Sequence, residues 1–296
     1  MKRILLLRLL SFSAVLCLTH ACYAQQEKLA PGRMVDVKLR GSEAFVGQYR
    51  GQDEGYYTIE EENGATLQLA KGMVKSIEVI PPGRFFDGEY WREPIASFQN
   101  LLTPTAFSLK PGEVLYKNIS LAYNQVSVGI TERTSAGVLF TGWNALGALN
   151  PVYGITAKVL LTPPGAPARI AAGALAISIP DDNKVVVDAA VVYGIVTFGT
   201  PDRNFSFGLG QGSIDRKWTS QPAYTLSAHY RTGKRVALIA EGWAIPTVDA
   251  TVGTLGLKAL GRKVDWSVSF PAGFAGRQFF AFPIPIISLN TVLHRF

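Results

Sequence analysis

The sequence predicts an all-β chain, an antiparallel, transmembrane-type β-barrel of about 12 strands (range about 10 to 12) preceded by a smaller β-barrel. Three observations lead there. From Lys117 onward the chain is a succession of alternating apolar and polar segments, separated by turn sequences such as Asn150-Pro151, Pro163-Pro164-Gly165, Pro180-Asp181-Asp182-Asn183 and Thr232-Gly233. Most of these segments run about 9 to 14 residues, longer than an ordinary strand and suited to crossing a bilayer at a tilt. Their polar face is mostly Gly, Ser, Thr and Ala with isolated charges, as a crowded lumen requires, whereas a face in bulk water carries many long charged side chains.

Residues 1–24 read as a secretory signal peptide: Lys2 and Arg3, then an apolar run from Ile4 to Leu18 broken by Arg8, then Cys22-Tyr23-Ala24 ahead of Gln25-Gln26. Acylation of Cys22 as a lipoprotein is the alternative processing. Both cysteines, Cys17 and Cys22, fall in this region, so the exported chain has neither disulfides nor thiolate chemistry. Losing Lys2, Arg3 and Arg8, and no acid, takes the formal charge from +7 to +4. Charged residues make up only 17% of the sequence while Gly reaches 29, which points to a surface covered by something other than charge.

Residues 31–80 contain short alternating runs, Val35-Val37-Leu39, Phe45-Gly47-Tyr49, Tyr57-Ile59, Leu67-Leu69 and Val74-Ile77-Val79, with turns at Gly41-Ser42, Asp53-Glu54-Gly55 and Asn63-Gly64. The stretch "GRMVDVKLRGSEAFVGQYRG…YYTIEEENG" followed by "KSIEVI" resembles SH3-like and Sm-like small barrels. Sm-like relatives bind RNA, which requires a basic face. Here Arg33, Lys38, Arg40, Arg50, Lys71 and Lys75 are outnumbered by Asp36, Glu43, Asp53, Glu54, Glu60, Glu61, Glu62 and Glu78, a net −2. Export and acidity both argue against nucleic acid. What is left is a folded accessory module or a docking module for a periplasmic protein partner. Residues 81–116, with Phe85, Phe86, Tyr90 and Trp91, carry too many aromatics for a free linker and read as a packed connector.

In the barrel, 117–296, the candidate strands are 117–130, 134–147, 152–163, 168–180, 184–199, 203–213, 223–231, 235–244, 250–260, 263–271 and 286–296, with 276–284 a further candidate. The most informative stretch is Ala250 to Phe270, which reads as a hairpin about Gly261-Arg262. That register sets Lys258 against Asp265 on the polar face and Leu257 against Trp266 on the apolar one. A three-residue loop, Thr232-Gly233-Lys234, sets Thr225 against Glu241. A lysine on the lipid side costs roughly 2 to 4 kcal/mol at mid-membrane, so Lys158 and Lys258 point inward. The inward polar set is Lys158, Asp188, His229, Arg231, Glu241, Lys258 and Asp265. These charges either line a narrow pore or form a paired network that plugs a small lumen, and the second is favoured because buried opposite charges pair.

Catalysis is not expected. Ser227 lies two positions from His229 on one strand, a neighbour by pleat rather than an activated nucleophile. His229 and His294 give no metal-ligand spacing, and no cofactor is implied.

The segments "FQNLLTPTAFSLKPGEVLYKN", "NQVSVGITERTSAGVLFTG" and "IPIISLNTVLHRF" resemble an uncharacterised group of outer-membrane barrel-like proteins of Gram-negative bacteria, over residues 98–296. The resemblance implies an outer-membrane location, lipid as surroundings, and the outer-membrane barrel assembly machinery as a partner, with Phe296 as the assembly signal. His294 and Asn290 depart from the aromatic or apolar residues usual in that signal. The expected function is an outer-membrane barrel of structural or narrow-channel type. The alternative is a soluble periplasmic, lipocalin-like barrel that binds an apolar ligand.

Overall fold

The computed structural model describes residues 29–41, 44–61, 63–86, 89–141, 152–181 and 184–295. The predicted signal peptide with Cys22, and the predicted assembly signal Phe296, lie outside the described residues. The chain divides into two units between Arg92 and Glu93.

The first unit is a five-stranded antiparallel sheet of β1 (Met34–Leu39), β2 (Ala44–Gln52), β3 (Tyr56–Glu60), β4 (Thr66–Ala70) and β5 (Val74–Val79), in the order β4-β3-β2-β1-β5. Alternation puts Val35, Val37, Tyr49 and Ile59 on one face, where they form a buried core with Leu39, Phe45 and Ile77 around it. Two short paired strands, β6 (Phe85–Phe86) and β7 (Glu89–Tyr90), follow. Arg92 closes the unit by donating to the buried Asp36 carboxylate at 2.7 Å.

The second unit is a closed wall of twelve antiparallel strands. They are β8 (Glu113–Ile119), β9 (Tyr123–Gly129), β10 (Thr134–Thr141), β11 (Tyr153–Leu160), β12 (Ala168–Asp181), β13 (Lys184–Gly199), β14 (Arg203–Ile214), β16 (Ala223–Gly233), β17 (Val236–Ile245), β18 (Ala250–Ala259), β19 (Val264–Ala275) and β21 (Ile286–Arg295). Neighbours in sequence pair around the ring, and the first strand closes it on the last, with Ile119 opposite Ser288 and Glu113 opposite Arg295. Two short strands, β15 (Lys217–Trp218) and β20 (Gln278–Ala281), only extend hairpins beyond the wall, on β14 and β19. Among the described residues the helical pieces are three-residue 3-10 turns.

The strand count matches the expectation, and two of its members change. The segment 117–130, expected to be one strand, is the β8–β9 hairpin. Its turn residues Ser120 and Leu121 have φ of 50° and 61°, left-handed values that neither residue type advertises. Asn118 supports the turn by accepting the Leu121 N–H through Oδ1. Conversely, 276–284 contributes β20, which is outside the wall.

Both hairpin registers that the sequence proposed are displaced by two residues. Lys258 is opposite Ser267, and Leu257 opposite Val268, with Leu260 to Lys263 forming the loop. Glu241 is opposite Ser227 rather than Thr225, because a bulge between Arg231 and Gly233 tightens that turn onto Val236. A displacement of two keeps every side chain on its face, so the assignment of faces survives a wrong register.

A self-occupied lumen as the candidate functional site

The wall has an inverted distribution of polarity. Along β14, Phe205, Phe207 and Leu209 are 47%, 42% and 46% exposed, while the intervening Asn204 and Ser206 are buried. Leu255, Leu257, Trp266, Val268 and Phe270 continue the exposed apolar set on β18 and β19, with Lys258, Asp265, Ser267 and Ser269 buried between them. Side chains alternate about a closed ring, so the buried polar set faces the axis and the apolar set faces out. The chain folds as a transmembrane-type β-barrel.

The axis of this barrel is filled by its own chain. Residues 95–107 fold back as a small hairpin with a bridge between Gln99 and Pro104 and a tip at Asn100–Thr103. Thr105 N–H donates to the Phe98 carbonyl, Asn100 N–H to that of Thr103, and the Thr105 hydroxyl to that of Ser97. Ala96, Phe98, Leu101, Ala106, Phe107 and Leu109 are all buried. Phe98 and Leu109 pack with Leu115, and Ala106 with Leu160, Ala171 and Ile195 of the wall. Gly112, at φ 73°, turns the chain out of the lumen and donates to the Gly129 carbonyl to begin β8. Gly129 itself is required, since a Cβ there would lie 2.1 Å from the Lys110 carbonyl oxygen.

Wall side chains meet the main chain of this hairpin. Glu241, midway along β17, takes the successive N–H groups of Leu101, Leu102 and Thr103 at 2.5, 3.0 and 3.2 Å. A carboxylate in such a nest of amides has its lone pairs satisfied without a facing cation. Lys158 on β11 does the converse, with Nζ donating to the carbonyls of Phe107, Thr105 and Phe98 at 2.6, 2.7 and 3.2 Å. The Phe98 ring sits 3.6 Å from the same ammonium, a cation–π contact. Lys117 on β8 donates to the Asn100 carbonyl at 2.7 Å, and Asn100 Nδ2 donates to Ser227 Oγ at 2.9 Å. Ala106 N–H donates to Thr197 Oγ1, which shares a further hydrogen bond with Ser206. Near the Glu93 end, Asp265 accepts from the N–H groups of Ile95 and Gly261 and lies 3.6 Å from Lys258 Nζ.

Of the seven residues expected to face the lumen, Lys158, His229, Arg231, Glu241, Lys258 and Asp265 are buried, none more than 5% exposed. They do not form one charge network. Lys258 and Asp265 pair, diagonally across the ladder. Arg231 pairs instead with Asp202 in the turn before β14, at 2.6 Å, and with the carbonyls of Gly233 and Lys234. Lys158 and Glu241 each serve the inner hairpin. Neither ring nitrogen of His229 bonds to a side chain among the described residues. Asp188 stands opposite Ser178 near the far end of β12–β13, on the strand parity of the exposed Val192 and Phe198. Its side chain lies outside the described residues. Lys117, Thr197 and Asn100 were not expected. Lys117 falls on the inward phase as soon as β8 is begun at Glu113 rather than at Lys117.

No protein-family model and no curated protein matches the chain. Solved structures do. The KdgM porin, in complex with disordered oligogalacturonate, aligns at 10% identity and a TM-score of 0.44, over 62% of this chain and 98% of its own. Outer membrane phospholipase A from Escherichia coli aligns at 11% identity and 0.35, over 69% and 98%. Acinetobacter baumannii Omp33 aligns at 11% and 0.35, over 61% and 97%. The assignment of the barrel rests on the wall itself.

Proposed function

We propose that this protein is an outer-membrane β-barrel of structural or narrow-channel type whose lumen is closed at rest by residues 95–107. The observation that carries the reading is the fit of that hairpin, whose successive N–H groups sit on Glu241 and whose carbonyls sit on Lys117 and Lys158. The apolar outer face supports a lipid environment, since such a belt in water would be an association surface. It also argues against a lipocalin-like carrier, which keeps its apolar side chains inside. Residues 31–80 are an accessory module on the periplasmic side, joined in sequence to the occupying hairpin through the connector that begins at residue 81. Its strand order, a β1–β4 meander with β5 returning beside β1, supports the SH3-like or Sm-like kind. The module is read as a folded accessory unit, with docking of a periplasmic protein as the second reading, and the outer-membrane barrel assembly machinery is the partner in insertion.

Catalysis has no place in this reading. Ser227 Oγ accepts from Asn100 Nδ2, and among the described residues His229 is hydrogen-bonded to no carboxylate and no hydroxyl. Two measurements test the proposal. The protein should be extracted from envelopes by detergent and should migrate faster unheated than heated, as closed barrels do; release of a monomer in aqueous buffer by osmotic shock would sink the membrane reading. In planar bilayers the intact protein should stay closed, and deletion of residues 95–109 should open steady conductance.

A further inference from the structure

We infer that the inner hairpin masks an anion path, and that Lys158 and Lys117 are its selectivity-determining residues. This rests on the reading of residues 95–107 as an occupant of the lumen, and goes beyond it by naming what the emptied lumen would pass.

Apart from the Phe98 ring, the partners of the buried charges are polar groups of two kinds. Arg231 has Asp202, and Lys258 has Asp265 besides the hairpin's Ala96 carbonyl; both ion pairs belong to the wall and remain when the hairpin leaves. Lys158 has no carboxylate partner among the described residues. Its ammonium is surrounded by three carbonyl oxygens and the face of the Phe98 ring, all supplied by the hairpin. Lys117 likewise depends on the Asn100 carbonyl. Among the described residues Glu241 is the carboxylate that interacts with it, without an ion-pair contact. Removing the hairpin therefore strips carbonyl oxygens from Lys117, Lys158 and Lys258 and amides from Glu241 and Asp265, and it leaves Lys158 with no wall carboxylate in contact among the described residues. Among the described residues around 98–107 of the hairpin, Lys117 and Lys158 then face Glu241, an excess of one cation at that level, while toward the Glu93 end Lys258 lies with Asp265 and the buried Glu113.

The hairpin thus presents to Lys158 what an anionic solute would present, several oxygen acceptors converging on one ammonium. The remainder of the inner wall about Lys158 is largely Ser, Thr and Gly, as at Ser127, Thr156, Ser206, Gly208 and Ser227, and the further buried carboxylate, Glu113 on β8, sits against the Lys110 N–H toward the Glu93 end. In a narrow lumen of low dielectric, one unbalanced ammonium is enough to bias small-ion passage, because its field is poorly screened. At the hairpin tip Leu102 is 40% exposed, so solvent already reaches this level from one end.

The test is single-channel recording in planar bilayers under a KCl gradient, comparing the intact protein, a chain lacking residues 95–109, and that deletion combined with Lys158→Gln or Lys158→Glu. The expected result is a closed intact protein, and a conducting deletion variant whose reversal potential has the sign for chloride over potassium. Lys158→Gln should bring that potential toward zero, and Lys158→Glu should reverse it. Should the deletion variant fail to assemble, Leu102→Pro in the full chain serves instead. It removes one amide from Glu241, leaves every wall charge in place, and should give brief openings of the same selectivity. Conductance without chloride preference, or a preference indifferent to Lys158, overturns the anion path and leaves the occupied-lumen reading standing. A deletion variant that assembles and conducts no more than the intact protein overturns both.

Discussion

Glu241 and Asp265 are buried acids in the same lumen, and they solve the problem of burial differently. Glu241 uses three amides from the inner hairpin, and Asp265 uses two amides and a lysine. Removing the countercharge of a buried acid costs more than a surface substitution, commonly about 3 to 5 kcal/mol. Lys258→Met is accordingly expected to cost about 3 kcal/mol in urea unfolding of the micellar protein. Adding Asp265→Asn should recover part of that loss, since it removes the stranded charge and keeps an acceptor for Ile95 and Gly261. If the double variant is less stable than Lys258→Met, the pair is not the reason for the loss. In the small unit, Asp53 accepts the N–H groups of Gly55 and Tyr56, which hold its carboxyl below the ordinary carboxylate range. A depressed carboxylate contributes stability above its unfolded pKa and loses it as pH falls through the lower folded value. The protection factors of the Gly55 and Tyr56 amides, relative to intrinsic exchange, should therefore hold at neutral pH and fall only in strong acid, and Asp53→Asn should flatten that dependence. At this scale the sequence was informative about facing and silent about partners. Lys158 and Glu241 had to point inward because lipid excludes them, but no pattern in the chain says that backbone amides and carbonyls would meet them.

Strand parity was readable because a slip of one residue exchanges the faces, whereas a slip of two changes nothing that hydrophobicity can register. The hairpins at Gly261 and Gly233 were for this reason assigned the right faces and the wrong loops. The β8–β9 turn was invisible for a different reason: Ser120 and Leu121 hold left-handed backbone conformations without a Gly or Asn at either position, and the stabilising group, Asn118, lies outside the turn pair. The packed connector expected over 81–116 rests on Phe85, Phe86, Tyr90 and Trp91, which lie in the first unit, whereas the stretch inside the barrel is 95–107, with no pattern of strand or helix. Its hydrogen bonds are made with wall side chains rather than with a neighbouring strand. One glycine tests how tightly this element is held. A side chain at Gly129 would strike the Lys110 carbonyl where the hairpin leaves the lumen. Gly129→Val should cost about 1 to 3 kcal/mol and should loosen residues 105–112 in limited proteolysis, while Gly165→Ala, with open space around it, should do neither. Equal protection of both variants would show that the exit is not tight.

Across the whole molecule, the wall satisfies its strand hydrogen bonds around a full circle, and the occupying hairpin lies outside that circuit. Its removal costs side-chain contacts and main-chain partners for five charges, Glu241, Lys158, Lys117, Asp265 and Lys258, and it breaks no ladder. A wall of this kind should survive loss of its occupant if water can take the occupant's place. Urea unfolding of the 95–109 deletion variant should therefore remain cooperative with a lowered midpoint, whereas a non-cooperative, gradual transition would mean that the hairpin is an integral part of the core. The ring also has a seam. Its two sides, β8 and β21, are the first and last strands of the barrel, and the hairpin immediately precedes β8. Until residues 286–295 are in place, β8 presents an open edge, and the nascent cylinder is a trough with its future contents at the leading rim. Chain order thus makes the filling older than the container, and the last ten residues of the wall are what turn a neighbour into a prisoner.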